Sequence, residues 1–78
     1  MRVIEVLGSG CQKCQLLEEH AREAVAIAGV EAEVRHVRDM AEIASRGILQ
    51  TPGLAIDGRV VSAGRVPSAA VIAGWLAA

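Results

Sequence analysis

The chain of 78 residues predicts an α/β fold of order β-α-β-α-β-β-α, a four-stranded mixed sheet covered by helices. Three observations predict it. The apolar run Val3-Ile4-Glu5-Val6-Leu7 leads into a long stretch with apolar residues at three- and four-residue steps. An alternating run ending at Val37 follows that stretch. Asp57-Gly58 then stands between two short apolar runs, a strong hairpin signal. Strand, helix and strand in succession make a parallel pair by a right-handed crossover, and the hairpin adds an antiparallel pair.

The elements follow in order. Arg2 to Leu7 reads as a buried central strand, rich in β-branched residues, with Glu5 its one internal charge and a side chain expected to reach solvent. A helix begins near Gln12. Cys14, Leu17, Ala21, Ala24, Val25 and Ala28 form its apolar face, and Glu18, Glu19, Arg22 and Glu23 lie largely opposite. Gly29 ends it. Val30 to Val37 is the second strand, with Val30, Ala32 and Val34 alternating against Glu31, Glu33 and Arg35. Asp39 can cap a short second helix in a capping box with Glu42. Met40, Ile43 and Ala44 would be its inner face, and Gly47 its end. Leu54-Ala55-Ile56 and Arg59-Val60-Val61 are the hairpin strands. Pro67 suits the first turn of a last helix, whose apolar stripe is Val71, Ile72, Trp75 and Leu76.

Bulk properties narrow the function. Residues 1–78 read as one domain, with 53% hydrophobic and 22% charged residues. Trp75 is the only aromatic residue and net charge is −1, so there is neither a basic block nor a stacking platform for nucleic acid. No apolar run is long enough to span a membrane, and no secretory signal is visible. A cytoplasmic location is expected. There, a cysteine pair points to catalysis or metal binding rather than to a structural staple.

Both cysteines lie in Gly8-Ser9-Gly10-Cys11-Gln12-Lys13-Cys14, between first strand and first helix. At a helix start, unpaired backbone N–H groups and the helix dipole favour a thiolate at Cys11, and Lys13 adds positive charge. Cys14 lies one turn deeper on the same face, within reach of a disulfide. The spacing supplies a nucleophile and a resolving partner. The same two thiolates could instead hold Cu(I) or Zn in a small soft-metal module. Such modules end on a strand, whereas Pro67 to Ala78 reads as a helix. A third possibility is a partner-binding domain whose cysteines oxidise only incidentally. His20 and His36 stand at no recognised ligand spacing from the cysteines. They read as a solvated helix-face residue and an edge-strand residue. Trp75 reads as core.

The order of elements, the C-x-x-C after the first strand, Thr51-Pro52 before the third and Asp57-Gly58 in the hairpin together resemble the thioredoxin superfamily. The segment Thr51 to Gly58 is similar to its glutaredoxin-like branch. The Gly8-Ser9-Gly10 lead-in and Gly64-Arg65 loop are similar to the small proteins named redox-active disulfide protein. The resemblance covers essentially the whole chain. It implies a thioredoxin-like fold with sheet order 2-1-3-4, and a thiol–disulfide oxidoreductase in which Cys11 attacks and Cys14 resolves. It implies that Pro52 is cis and packs opposite the disulfide, with the Thr51 backbone offered to substrate. Gly10, Gln12 and Lys13 complete the expected substrate-contacting set. The implied partners are a disulfide-containing protein or a low-molecular-weight thiol substrate, and an external reductant. No cofactor, metal, nucleic acid or membrane is expected, and the protein is expected to be a monomer. Glu5 stands six residues before Cys11, where thioredoxins keep a buried acid. Arg65 could meet an anionic substrate. Gly10 stands where thioredoxins carry Trp, and Gln12-Lys13 matches neither the Gly-Pro of thioredoxin nor the Pro-Tyr of glutaredoxin. Ser62-Ala63-Gly64-Arg65 replaces the usual glutathione-binding Gly-Gly and acidic residue.

Overall fold

A computed structural model describes residues 1–78. The elements are β1 (Arg2–Leu7), α1 (Gln12–Ala28), β2 (Ala32–Val37), α2 (Met40–Ser45), β3 (Gly53–Ile56), β4 (Arg59–Ala63) and α3 (Ala69–Ala77). The four strands form one mixed sheet in the order β2-β1-β3-β4. β1 and β2 are parallel, from Arg2 opposite Ala32 to Leu7 opposite Val37. β3 runs antiparallel to both β1 and β4. The hairpin turn works as its residues suggest, because Asp57 and Gly58 both take positive φ, 51° and 83°. Asp57 also accepts hydrogen bonds from the Val3 N–H at 2.9 Å and the Arg2 Nε at 2.5 Å. The hairpin is thereby fastened to the start of β1.

Strand alternation divides the core in two. On one face, Ile4, Val6, Leu54 and Ile56 meet Leu17, Ala21 and Ala24 of α1 and Ile72, Ala73 and Leu76 of α3. On the other, Leu7 and Ala55 meet Ile43 of α2 and Ile48 after it. With small alanines along α1, this helix can approach the sheet and α3 closely. All four residues of β3 are buried, as a central strand requires.

Several local expectations change. β2 starts at Ala32 rather than Val30. α3 starts at Ala69, because the Ser68 hydroxyl accepts from the Val71 N–H and Pro67 lies outside the cap. Val71 is 47% exposed, and only Ile72, Ala73 and Leu76 of that helix reach deep into the core along with Ala69. On α2, Ile43 alone is buried, and Met40 and Ala44 are exposed. Two helical turns against one sheet face can seat only one large side chain. Asp39 does cap α2, accepting from the Ala41 and Glu42 N–H groups. The Glu42 carboxylate reaches Arg46 at 3.4 Å instead of returning to the cap. No helix is long and apolar enough to cross a membrane.

Candidate active site

The carboxyl ends of β1 and β2 point the same way, and antiparallel β3 begins where β1 ends, with Leu7 opposite Gly53. β4 finishes there too, with Ala63 opposite Gly53. The turn from β1 into α1, the segment after β2, Thr51-Pro52 and the Gly64-Arg65 loop therefore gather at one end of the sheet.

Cys11 is the N-cap of α1, in extended conformation, and is exposed. Its side chain makes no capping hydrogen bond to the helix. Cys14, one turn on, is fully buried. The two sulfurs are 3.1 Å apart, in hydrogen-bond contact. The Cys11 thiol is lowered below its ordinary range, first by the hydrogen bond from the Cys14 side chain and then by the backbone N–H of Cys14. The N–H groups of Lys13 and Cys11 act in the same direction. These are unpaired groups of the first helical turn, where negative charge is favoured. The Cys14 thiol is raised, chiefly because burial penalises its charged form and next because of the Cys11 sulfur. One sulfur is thus exposed with its thiol lowered, and its neighbour is buried with its thiol raised.

Gly8 is what lets the pair sit against the sheet. It is buried, and a Cβ built on it would overlap the Cys14 Sγ and come within 3.7 Å of the Pro52 Cα. Cys14, Gly8 and Pro52 are consecutive layers of one packed unit. The Thr51–Pro52 peptide bond is cis, with Pro52 buried and Thr51 exposed. The Pro52 carbonyl accepts from the Gly64 N–H at 2.9 Å, which ties the Pro52 loop to the end of β4. Gln12 and Lys13 are exposed in the first turn of α1. With Gln15, Leu16 and Glu19 they line a shallow depression of about 360 Å³. Gly10, φ 92°, accepts from the Gln15 side chain at 3.2 Å and so is held to the helix it precedes. The larger groove of about 440 Å³ lies between β4 and α3, over Trp75, and no residue of the C-x-x-C lines it.

Glu5 departs from its expected exposure. It is 8% exposed and its carboxylate accepts from both terminal nitrogens of Arg46, at 3.0 and 2.7 Å. β1 alternation turns it toward the α2 face, where Arg46 closes that helix. His20 is half-buried, its Nδ1 2.9 Å from the Pro67 carbonyl. His36 does lie on edge strand β2, but packed against α1. Its side chain is 13% exposed, with Nδ1 3.3 Å from Glu18 and a buried Nε2 that has no partner. Neither histidine joins a cluster of three or more metal-ligating side chains. Trp75 is half-buried against the core, and Arg65 is exposed. No motif marks Arg46, which holds Glu5, or Arg38, whose guanidinium lies where a side chain at Gly10 would stand.

A family model described as Thioredoxin domain matches residues 2–77 of this chain. Over 68 residues, the chain is 44% identical to a protein named Thioredoxin from Methanothermobacter thermautotrophicus, covering 87% of this chain and 88% of that protein. It is 41% identical, also over 68 residues, to a protein named Thioredoxin from Methanocaldococcus jannaschii, covering 87% of this chain and 78% of that one.

Proposed function

This chain belongs to the thioredoxin family and is a disulfide oxidoreductase, and from that premise we propose that Cys11 and Cys14 are its redox-active pair. The observation that carries the reading is the 3.1 Å contact between an exposed, lowered thiol and a buried, raised one at the opening of α1. The Cys11 thiolate attacks one sulfur of a substrate disulfide. A Cys11–substrate disulfide forms, the substrate S–S bond breaks and the other substrate sulfur leaves as thiolate. Cys14 then loses its proton and attacks the Cys11 sulfur, releasing the second substrate thiolate. The substrate gains two electrons, and the protein is left with a Cys11–Cys14 disulfide. An external thiol or dithiol reductant returns it to the dithiol form.

Pro52 and the exposed backbone of Thr51 form the opposing wall of this site in our reading, and Gly10, Gln12 and Lys13 the near wall. The substrate is a disulfide-containing protein or a low-molecular-weight disulfide. The two cysteines are the whole redox centre, and the protein works as a cytoplasmic monomer carrying electrons to its substrate. For a Cu(I) or Zn module the expected final element is a strand, and the helix α3 at Ala69–Ala77 favours the oxidoreductase reading instead.

The test is a redox titration of the metal-free protein in dithiothreitol buffers of graded potential, with free thiols counted by alkylation and mass. A reversible two-electron transition between two and zero alkylated cysteines is expected. Absence of any intramolecular disulfide, or full disulfide-reductase activity in Cys11→Ser, overturns the assignment. A Cu(I) and Zn titration of the same sample then takes precedence.

A further inference from the structure

Of the eight Lys and Arg side chains, Arg2, Arg22, Arg35 and Arg46 are ion-paired. Lys13, Arg38, Arg59 and Arg65 take part in no ion pair and no side-chain hydrogen bond. Three of these four belong to the cysteine end of the sheet. Lys13 lies between the cysteines, Arg38 follows β2, and Arg65 adjoins the Gly64 that is bonded to Pro52. Asp39, the acid next to Arg38 in sequence, is engaged in capping α2. Asp57 and Glu31 lie at the opposite end of the sheet. A chain of net charge −1 thus carries three cations outside any ion pair at the end of the sheet that holds its cysteines, with Glu19 lining the same depression as Lys13.

Arg38 packs on the residue just before Cys11. A Cβ built on Gly10 would overlap its Nη1 and lie 3.2 Å from its Cζ. The guanidinium therefore occupies the volume that a side chain at position 10 would fill, immediately before Cys11. Having no side chain, Gly10 leaves that space to Arg38, and its φ of 92° is one that larger residues rarely adopt. A guanidinium presents a planar fork of donors matched to a carboxylate.

We propose that Arg38, seconded by Lys13, is a carboxylate subsite, so that the preferred substrates are disulfides bearing a carboxylate close to the S–S bond. This rests on the dithiol reading above. A low-molecular-weight disulfide acid and an acidic residue beside a polypeptide cystine both supply that chemistry.

The experiment is thiol–disulfide exchange by the pre-reduced full chain, quenched with acid and read by alkylation and mass. Three small disulfides serve as probes: dithiodipropionate (anionic), hydroxyethyl disulfide (neutral) and cystamine (cationic). A Glu-flanked peptide disulfide and its Gln-flanked counterpart form the second arm. The anionic probe should react about tenfold faster than the cationic one at low salt, with the margin shrinking as salt screens it. Arg38→Ala should cut that ratio several-fold and Arg38→Glu should invert it. A Glu-over-Gln preference in the peptide arm alone assigns the polypeptide source, and a preference in both arms assigns the carboxylate from either source. If Arg38→Ala slows all probes by one common factor, or leaves the anion-to-cation ratio intact, the subsite is refuted while the oxidoreductase stands. If the wild-type protein exchanges with no probe at all, both readings fall together.

Discussion

The two terminal guanidinium nitrogens of Arg46 donate to the two carboxylate oxygens of Glu5, at 3.0 and 2.7 Å, and bind the end of α2 to the middle of β1. A charge in a central strand is costly to bury alone and tolerable when paired and hydrogen-bonded. The pair is thus a condition for α2 to lie on this face of the sheet. The same helix is secured at its other end by Asp39 and in its middle by Ile43.

The pair makes stability pH-dependent in a defined direction. Hydrogen bonds from Arg46 hold the Glu5 carboxyl below its ordinary 4.5, burial opposes them, and the charges of Arg46 and Arg35 lower it further. A carboxyl lowered by folding contributes stability that is fully present above its unfolded value and is lost as pH falls through the folded value. Urea unfolding should show a decline in stability beginning near pH 4.5. Glu5→Gln should flatten that decline and, near neutral pH, destabilise by about 1–2 kcal/mol. Identical acid slopes in the two proteins would remove Glu5 as the cause.

The thiol asymmetry has a pH signature of its own. Alkylation by iodoacetamide should modify Cys11 first, with a midpoint below the ordinary thiol value of 9.0. The largest cause of that lowering is the Cys14 side chain, so Cys14→Ala should move the midpoint upward. Residual lowering should persist from the backbone N–H groups. Mass spectrometry across a pH series measures both. A midpoint unmoved by Cys14→Ala would assign the lowering to the helix end alone.

Gly8→Ala tests the packing between the cysteines and the sheet. The added methyl group has no room beside the Cys14 sulfur, so the variant should lose about 1–3 kcal/mol, as overpacked sites do. It should also change the rate at which the Cys11–Cys14 disulfide forms, because the buried sulfur must shift. Ser9→Ala, at an exposed neighbour, should stay within about 0.5 kcal/mol of wild type. Chemical denaturation of the two variants decides it, and equal stabilities would show that Gly8 is not the close-approach point.

In the larger core cluster, Leu17→Ala should cost about 2–5 kcal/mol and Ile72→Val about 0.5–1.5. A domain of this length holds a total of about 4–12 kcal/mol. Leu17→Ala should therefore remove a large share of that total, seen by circular dichroism as a lower urea midpoint. A loss under about 1 kcal/mol would mean that α1 is not anchored to the sheet through Leu17.

Much of this molecule was legible in its residues, and the exceptions share a cause. The helix of Gln12–Ala28 and the hairpin at Asp57-Gly58 depend on interactions between near neighbours, which periodicity and turn residues encode directly. The C-x-x-C needed only its place between strand and helix. The burial of Glu5 is not legible in its neighbours, because its partner Arg46 stands 41 residues away and meets it only once α2 folds onto β1. The exposure of Met40, Ala44 and Val71 could not be read for a similar reason. Helical periodicity names an apolar stripe, but the area of the opposing sheet decides how much of it is covered.

By itself, the sequence determined the order of elements, the strand-to-helix turn that carries Cys11 and Cys14, and the three-residue spacing that sets one sulfur beside the other. Those are local matters, set by backbone preferences and by three residues of separation. Tertiary structure alone decided that Gly8 is the surface Cys14 packs on, that Arg46 neutralises Glu5, and that Arg38 rests on Gly10. Burial and charge pairing depend on where distant segments are brought by parallel β1 and β2 and by antiparallel β3. No short stretch of chain encodes that convergence.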